Sequence, residues 1–228
     1  MRRRFGISTR IFRAPQLRRE DLLAVAAHGF EVVELAALRS ALSYTNPAAV
    51  ADFQQRLAEA RLELFSVQVP LAEPAEEAVL IARRIPLPVL IVQATTPRET
   101  ANALEKLVEV AAPLNVKVAI DSASMSPIGS LVHFVERGTD VDVGVCLDFA
   151  KAQRDGNLVD AIESVAEYLV AARIPVDSGI DWPSAMTTTQ KIGYEGPLIF
   201  DADARGSSKE TLSRAQDVRR RIERLLVP

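Results

Sequence analysis

Short apolar runs alternate along the chain with longer stretches in which apolar residues recur at helical spacing. The runs are rich in Val, Ile and Leu, and several, such as Val89-Leu90-Ile91-Val92, are continuous rather than interrupted by polar residues. Continuous apolar runs are typical of parallel strands that are covered on both faces. Eight strands are predicted, at residues 5–9, 31–35, 62–67, 88–93, 116–121, 143–148, 168–174 and 197–201.

The stretches between these runs predict helices. Residues 47–60 carry apolar side chains on one face and charged or amide side chains on the other, as expected of a helix that packs against a core. Asn46-Pro47 and Asp181-Trp182-Pro183 are typical helix starts, and Gly29 is a typical helix end. The predicted helices lie at about 19–28, 47–60, 75–85, 98–111, 128–137, 157–166, 182–191 and 208–226.

This alternation predicts the α/β class and, within it, a single (β/α)8 TIM barrel. Eight strand–helix units in 228 residues average about 28 residues each, which is within the size range of this fold. An open doubly wound sheet usually has a Gly-rich first turn, whereas Phe5-Gly6-Ile7-Ser8 contains one glycine. No linker or low-complexity tract divides the chain, so we predict one domain over residues 1–228.

Composition and charge narrow the classes of function. The 27 basic and 30 acidic side chains give a net charge of −3, which argues against nucleic acid as a partner. No apolar run is long enough to span a membrane, and Arg10 and Arg13 interrupt the segment after the Arg-rich start. We therefore expect a cytoplasmic protein with no membrane partner; the pattern predicts no oligomeric state. The single Cys146 excludes an internal disulfide, and two histidines make histidine-based chemistry unexpected.

Polar residues end most of the predicted strands. In a (β/α)8 barrel the active site lies at the carboxyl ends of the strands, so these residues are the candidates for binding and catalysis. In strand order from strand 2 they are Glu34, Gln68, Gln93, Asp121, Asp148, Arg173 with Asp177, and Asp201, together with Lys151 just after strand 6 and Asp203 just after strand 8.

Two interpretations of this set stay open. Asp121, Asp148 and Asp201 end strands 5, 6 and 8, and if they converge, their oxygens suit Mg²⁺ or Mn²⁺ better than Zn²⁺. Aspartate at a strand end is also a common helix N-cap. Lys151 and Arg173 favour the second interpretation, in which cations neutralise the carboxylates as buried ion pairs and no metal is needed.

Four segments, spread over almost the whole chain, resemble those of a known family. They are Gly29-Phe30-Glu31-Val32-Val33-Glu34-Leu35, Val143-Gly144-Val145-Cys146-Leu147-Asp148, Gly179-Ile180-Asp181-Trp182 and Gly193-Tyr194-Glu195-Gly196-Pro197-Leu198. In this order they are similar to the xylose isomerase-like barrels, which include sugar phosphate isomerases and epimerases and the endonuclease IV-type proteins. The resemblance implies a TIM barrel with a divalent metal bound by Glu, Asp, His and Glu on strands 5 to 8.

Carried over position by position, the resemblance implies an altered metal site. Asp148 matches the strand 6 ligand, whereas Asp121 and Asp201 stand where Glu is usual and Arg173 where His is usual. These changes shorten two ligands and add positive charge, and each of them weakens the binding of a dication. Other histidines that are usual around the site are replaced by Lys151, Gln68 and Gln93.

Two functions of different classes follow. The first is a sugar or sugar phosphate isomerase or epimerase that abstracts a proton next to a carbonyl, with Asp121 or Asp201 as base and Lys151 or a metal as electrophile. The second is a catalytically inactive barrel that binds a small polar ligand or a protein partner and holds ion pairs in place of the metal. For the first function, the predicted substrate-binding residues are Glu34, Gln68, Gln93 and Arg173.

Overall fold

Eight parallel strands form a closed barrel in which each strand pairs with the next and the last pairs with the first. The computed structural model describes residues 3–12, 17–36, 42–70, 75–176, 179–202 and 207–226. The closed ring of eight parallel strands confirms the predicted (β/α)8 barrel. The strands are β1 (Phe5–Ser8), β2 (Val32–Leu35), β3 (Glu63–Val69), β4 (Val89–Val92), β5 (Lys117–Asp121), β6 (Gly144–Asp148), β7 (Leu169–Pro175) and β8 (Leu198–Asp201).

Helices connect the strands and bury their apolar faces against them. None of the helices within the described ranges is both long enough and apolar enough to cross a membrane. The helices are α1 (Arg19–Ala27), α2 (Pro47–Ala60), α3 (Ala75–Ala78), α4 (Pro97–Ala111), α5 (Ile128–Arg137), α6 (Phe149–Asp155), α7 (Leu158–Ser164), α8 (Trp182–Lys191) and α9 (Ser208–Leu226).

The helix boundaries agree with the sequence where the capping signals are clearest. The Asn46 side chain accepts a hydrogen bond from Ala48 N at 2.9 Å and so caps the start of α2. Asp181 caps α8 in the same way through Ser184 N, at 3.3 Å. Gly29 follows α1 with a φ of 79°, a left-handed conformation that costs glycine least.

Two connections differ from the sequence prediction. The helix predicted at 75–85 is regular only over Ala75–Ala78, and the chain then continues in turns whose hydrogen bonds also reach back three or four residues. Apolar spacing cannot distinguish such turns from a regular helix. The sequence also predicted no helix between β6 and residue 157, but α6 starts directly after β6 because the Asp148 carboxylate caps it.

Gly6 lies where β1 approaches its neighbours closely. A Cβ atom at this position would be 2.5 Å from Val32 Cγ2, 2.6 Å from Ile199 Cδ1 and 2.8 Å from the Val32 carbonyl oxygen. Gly6→Ala is therefore expected to destabilise the protein by about 1–3 kcal/mol, measured by denaturant unfolding. Gly129→Ala in α5 is the control, since a Cβ there would meet no described atom within 4 Å. Equal stability of the two variants would contradict the close packing of β1.

Candidate active site

A layer of polar side chains lies at the carboxyl end of the barrel, directly above an apolar interior. Ala119, Cys146, Ala171 and Ile199 belong to one buried, mainly apolar cluster. Side chains two residues apart on a strand share a face of the sheet. The polar side chains two residues further along these strands therefore lie above this cluster, at the carboxyl end of the barrel. The polar layer consists of Glu34, Ser66, Gln68, Asp121, Asp148, Arg173 and Asp201.

Arg173 crosses the barrel and binds carboxylates on two strands that are not neighbours of β7. Its side chain is only 2% exposed; Nε donates to the two Glu34 oxygens at 2.9 and 3.1 Å, and Nη1 donates to Asp121 Oδ2 at 2.6 Å. Ser66 Oγ also donates to Glu34, at 3.0 Å. Burial alone would lower the pKa of Arg173, but the nearby anions, Glu34 first among them, raise it well above its ordinary value. Arg173 is therefore a fixed, permanent cation.

Asp201, at the end of β8, is held through one of its two oxygens. Its Oδ2 lies 3.2 Å from Arg10 Nη1, whereas the buried Oδ1 has no hydrogen-bond partner among the described residues. The pKa of Asp201 is raised to about 6, chiefly by burial; Arg10 and Arg173 oppose the rise, and Glu34 and Asp148 contribute to it. The side chain therefore changes its charge near neutral pH.

Gln68 connects the Arg10–Asp201 pair to the Arg173–Asp121 pair. Arg10 Nη2 donates to Gln68 Oε1 at 2.8 Å, and Gln68 Nε2 donates to Asp121 Oδ2 at 3.4 Å. A continuous set of polar contacts thus runs from Asp201 through Arg10, Gln68 and Asp121 to Arg173. At the Arg173 end, Nη2 is buried without a hydrogen-bond partner among the described residues. Among the described residues, the buried atoms of the layer without a partner are therefore one acceptor, Asp201 Oδ1, and one donor, Arg173 Nη2.

Three predicted site residues are not brought into this set of contacts. Asp148 is half-buried and caps α6, because its Oδ1 accepts from Lys151 N at 2.8 Å. The Lys151 ammonium pairs with Asp155 and lies 3.0 Å from Ser126 Oγ, and the residue belongs to a helix rather than to a loop. Gln93 is exposed and follows the end of β4. Two further candidates, Asp177 and Asp203, lie outside the described residues.

The side chains of the polar layer do not form a set of ligands for a divalent metal ion. In the ranges that the structure describes, no three His, Cys, Asp or Glu side chains are grouped so that they could hold a metal ion. Asp121 already accepts from Arg173, Gln68 and the backbone N of Ala123. A dication beside Asp121 would also face the fixed positive charge of Arg173. Of the two cations in the second interpretation, Arg173 pairs with Asp121, whereas Lys151 pairs with Asp155 and with none of the strand-end aspartates.

Arg10 and Ser66 are site residues that the sequence analysis missed. Arg10 lies in the turn Thr9–Ile11, which follows β1 at the same end of the barrel as the other candidates. Ser66 precedes Gln68 by two residues, so strand alternation places both on one face. With the strand bounds predicted from the sequence, 5–9 and 62–67, Arg10 is the first residue after strand 1 and Ser66 is the penultimate residue of strand 3, so extending the search to these positions identifies both.

Similarity to known proteins is found at the level of structure. No family model and no curated protein matches the chain by sequence. The D-psicose 3-epimerase of Clostridium cellulolyticum H10, solved with D-tagatose, matches with a TM-score of 0.80 and 14% identity over 99% of this chain and 100% of that chain. The IolI protein with a bound zinc atom matches with a TM-score of 0.78 and 12% identity, over 96% and 98%. A xylose isomerase-like TIM barrel/4-hydroxyphenylpyruvate dioxygenase fusion protein gives 0.76 and 16%, over 96% and 42%.

Proposed function

We propose that this chain, which has the fold of the xylose isomerase-like TIM barrels, is an isomerase or epimerase of a small sugar or sugar phosphate. The observation that carries the proposal is two buried atoms of the polar layer, Asp201 Oδ1 and Arg173 Nη2, for which the described part of the chain supplies no hydrogen-bond partner. The first can accept a proton, and the second can donate a hydrogen bond to a carbonyl oxygen. The similarity in fold to a D-psicose 3-epimerase supports a sugar as the substrate.

Asp201 acts as the general base in this proposal. A base works best when its pKa lies near the working pH, and burial raises the pKa of Asp201 to about 6. The carboxylate removes the proton from the carbon next to the carbonyl, and an enediolate forms. The proton of the adjacent hydroxyl passes to the former carbonyl oxygen within the enediolate, and the protonated acid returns its proton to the former carbonyl carbon, which converts an aldose to a ketose. Since one carboxylate can remove and return a proton on the same face, we favour isomerisation over epimerisation.

Arg173 stabilises the negative charge that forms on the carbonyl oxygen. Its guanidinium is fixed by Glu34 and Asp121 before substrate binds, so little reorganisation is needed when the charge develops. A zinc atom is bound in the IolI protein, which shares this fold. In this chain we propose that the guanidinium of Arg173 takes the place of such a cation, and that Gln68 and Glu34 bind substrate hydroxyls.

Metal independence is a direct consequence. Millimolar Mn²⁺ or Mg²⁺ is expected to leave Tm unchanged, because only an ion that binds the folded state raises its stability. A chelator is likewise expected to leave the reaction rate unchanged. Metal analysis of the purified protein provides an independent readout. Stoichiometric Mn, Mg or Zn, removable by chelator with loss of thermal stability, is the result that would contradict this proposal.

The proposed reaction is tested by hydrogen exchange with solvent. Aldoses, ketoses and their phosphates are incubated with the protein in D₂O, and deuterium at the carbon next to the carbonyl is followed by NMR. We expect incorporation into at least one compound, at a rate far above that with Asp201→Asn. The neutral and phosphorylated compounds distinguish the two substrate classes. Exchange at the buffer rate across the whole panel would refute the function.

A second candidate is a catalytically inactive barrel that binds a small polar ligand. It is favoured by the ion pairs of Arg173 with Glu34 and Asp121, which already satisfy most of the polar groups in the barrel mouth. In this case a sugar would raise the Tm of the protein without any incorporation of deuterium. The same panel of compounds therefore separates binding from catalysis.

A further inference from the structure

We propose that Arg10 is a positioning residue of this site, which holds the Asp201 carboxylate by one oxygen and so presents the other oxygen to the substrate. The inference rests on the proposed role of Asp201 as the base. Arg10 Nη1 lies 3.2 Å from Asp201 Oδ2, and the remaining oxygen, Oδ1, is buried and has no partner among the described residues. Oδ2 is thus held by Arg10, and Oδ1 is the oxygen that we propose accepts the proton from the substrate.

The backbone that carries Arg10 is anchored on both sides. Arg10 N donates to Ser8 Oγ at 3.5 Å, and Thr9 Oγ1 accepts from Ala36 N at 2.9 Å, which ties the turn to the end of β2. Thr9 and Ile11 are both buried, whereas the side chain of Arg10 is 37% exposed. The turn therefore fixes the origin of the Arg10 side chain and leaves its guanidinium over the barrel mouth.

The guanidinium is fixed at two points. Its Nη2 donates to Gln68 Oε1 at 2.8 Å, while Nη1 faces Asp201, so acceptors on β3 and β8 are bound by one planar group. Gln68 is itself held by Asp121, through a 3.4 Å hydrogen bond. A planar fork bound at two points cannot rotate freely, and it transmits this restraint to the carboxylate. A lysine keeps the positive charge but lacks the planar fork that holds the two acceptors in a fixed geometry.

An ion pair at the protein surface contributes little to the free energy of unfolding. If Arg10 merely neutralised the charge of Asp201, its removal would therefore change the stability only slightly. Asp201, however, is only 12% exposed, so this pair is not an ordinary surface pair. The orientation of a catalytic group affects the rate much more than the stability, because a misplacement of about 1 Å can cost a factor of about 10². The distinguishing quantity is therefore kcat, at nearly constant KM.

The test compares Arg10→Met with Arg10→Lys and with a control, Arg4→Met, at the other end of β1. Arg4 precedes β1 at the opposite end of the barrel and pairs with the exposed Glu63, so Arg4→Met keeps the site intact. With a substrate identified by deuterium exchange, we expect Arg10→Met to lower kcat by about 10–100-fold with KM nearly unchanged. Arg10→Lys should restore part of the loss, and Arg10→Met should cause no further loss in the Asp201→Asn protein. A kcat equal to that of Arg4→Met, or an effect on KM alone, would overturn the assignment.

A second readout needs no substrate and separates this inference from the proposed function. The carboxyl carbons of aspartate are labelled with ¹³C, and Asp201→Asn identifies the Asp201 signal. Arg10→Met is expected to shift that signal, and Arg4→Met is expected to leave it in place. Absence of exchange in the wild-type protein refutes the proposed function; an Asp201 signal that is unmoved by Arg10→Met shows that Arg10 does not hold the carboxylate.

Discussion

Replacing Arg173 with methionine is expected to lower the free energy of unfolding by about 3–5 kcal/mol. Methionine fills much of the volume of the side chain but removes the cation that Glu34 and Asp121 share. Both carboxylates are almost fully buried, so each would be left without its charged partner in a site that water scarcely reaches. Removing one partner of a buried ion pair costs more than the pair itself contributes to stability, because the remaining charge stays desolvated.

Denaturant unfolding at neutral pH measures this effect. Arg220→Met is the matched control, since Arg220 forms an exposed pair with Asp217 on α9 and its loss should change the stability little. The triple variant Arg173→Met, Glu34→Gln, Asp121→Asn should recover part of the loss, because no buried charge is left unpaired. If Arg173→Met were as stable as Arg220→Met, Arg173 would not be the buried cation of the polar layer.

Replacing Asp201 with asparagine is expected to lower the rate of proton exchange by about 10²–10⁴-fold. Asparagine keeps the shape of the side chain and can still accept a hydrogen bond from Arg10, but it cannot take a proton from carbon. The wild-type rate should rise with pH through about 6, where Asp201 loses its proton. A variant with the wild-type rate, or a wild-type rate that is flat from pH 5 to 7, would exclude Asp201 as the base.

The same variant has an expected effect on stability that needs no substrate. Burial raises the pKa of Asp201 from 3.8 to about 6 in the folded protein. The folded state therefore binds the proton more tightly than the unfolded state, and this contribution to stability is present below pH 4 and lost as the pH rises through 6. Relative to the wild type, Asp201→Asn should gain up to about 3 kcal/mol between pH 4 and pH 7. A constant difference across this range would contradict the raised pKa.

Most of the fold could be predicted from the sequence because strand and helix periods differ so clearly in this chain. The continuous run at Val89–Val92 and the capped helix at Pro47–Ala60 predict a buried strand and an amphipathic helix from local pattern alone. The segment after Ala78 could not be predicted in the same way, since turns and a regular helix bury similar positions. Helix α6 was missed because it is short and its start coincides with the end of β6.

Every member of the polar layer except Ser66 was predicted, but the partners of these side chains could not be. Strand ends mark Glu34, Asp121, Arg173 and Asp201 as neighbours at one end of the barrel, because all parallel strands point the same way. Which carboxylate the guanidinium reaches depends on side-chain length and on the distance across the barrel, neither of which is encoded in a pattern along one strand. Arg173 therefore pairs with β2 and β5 rather than with Asp148, its register partner on β6.

The proposed role of Asp201 as the base and the proposed positioning role of Arg10 both depend on the protonation state of the Asp201 carboxyl group. The titration of this group can be observed directly. A carbon-13 NMR titration of protein labelled at the aspartate carboxyls, with Asp201→Asn for assignment, gives the midpoint for Asp201. We expect a midpoint near pH 6, because burial raises the pKa of Asp201 by more than Arg10 and Arg173 lower it. A midpoint near the ordinary aspartate value of 3.8 would show a solvated carboxylate, and the buried base that the structure indicates would not exist.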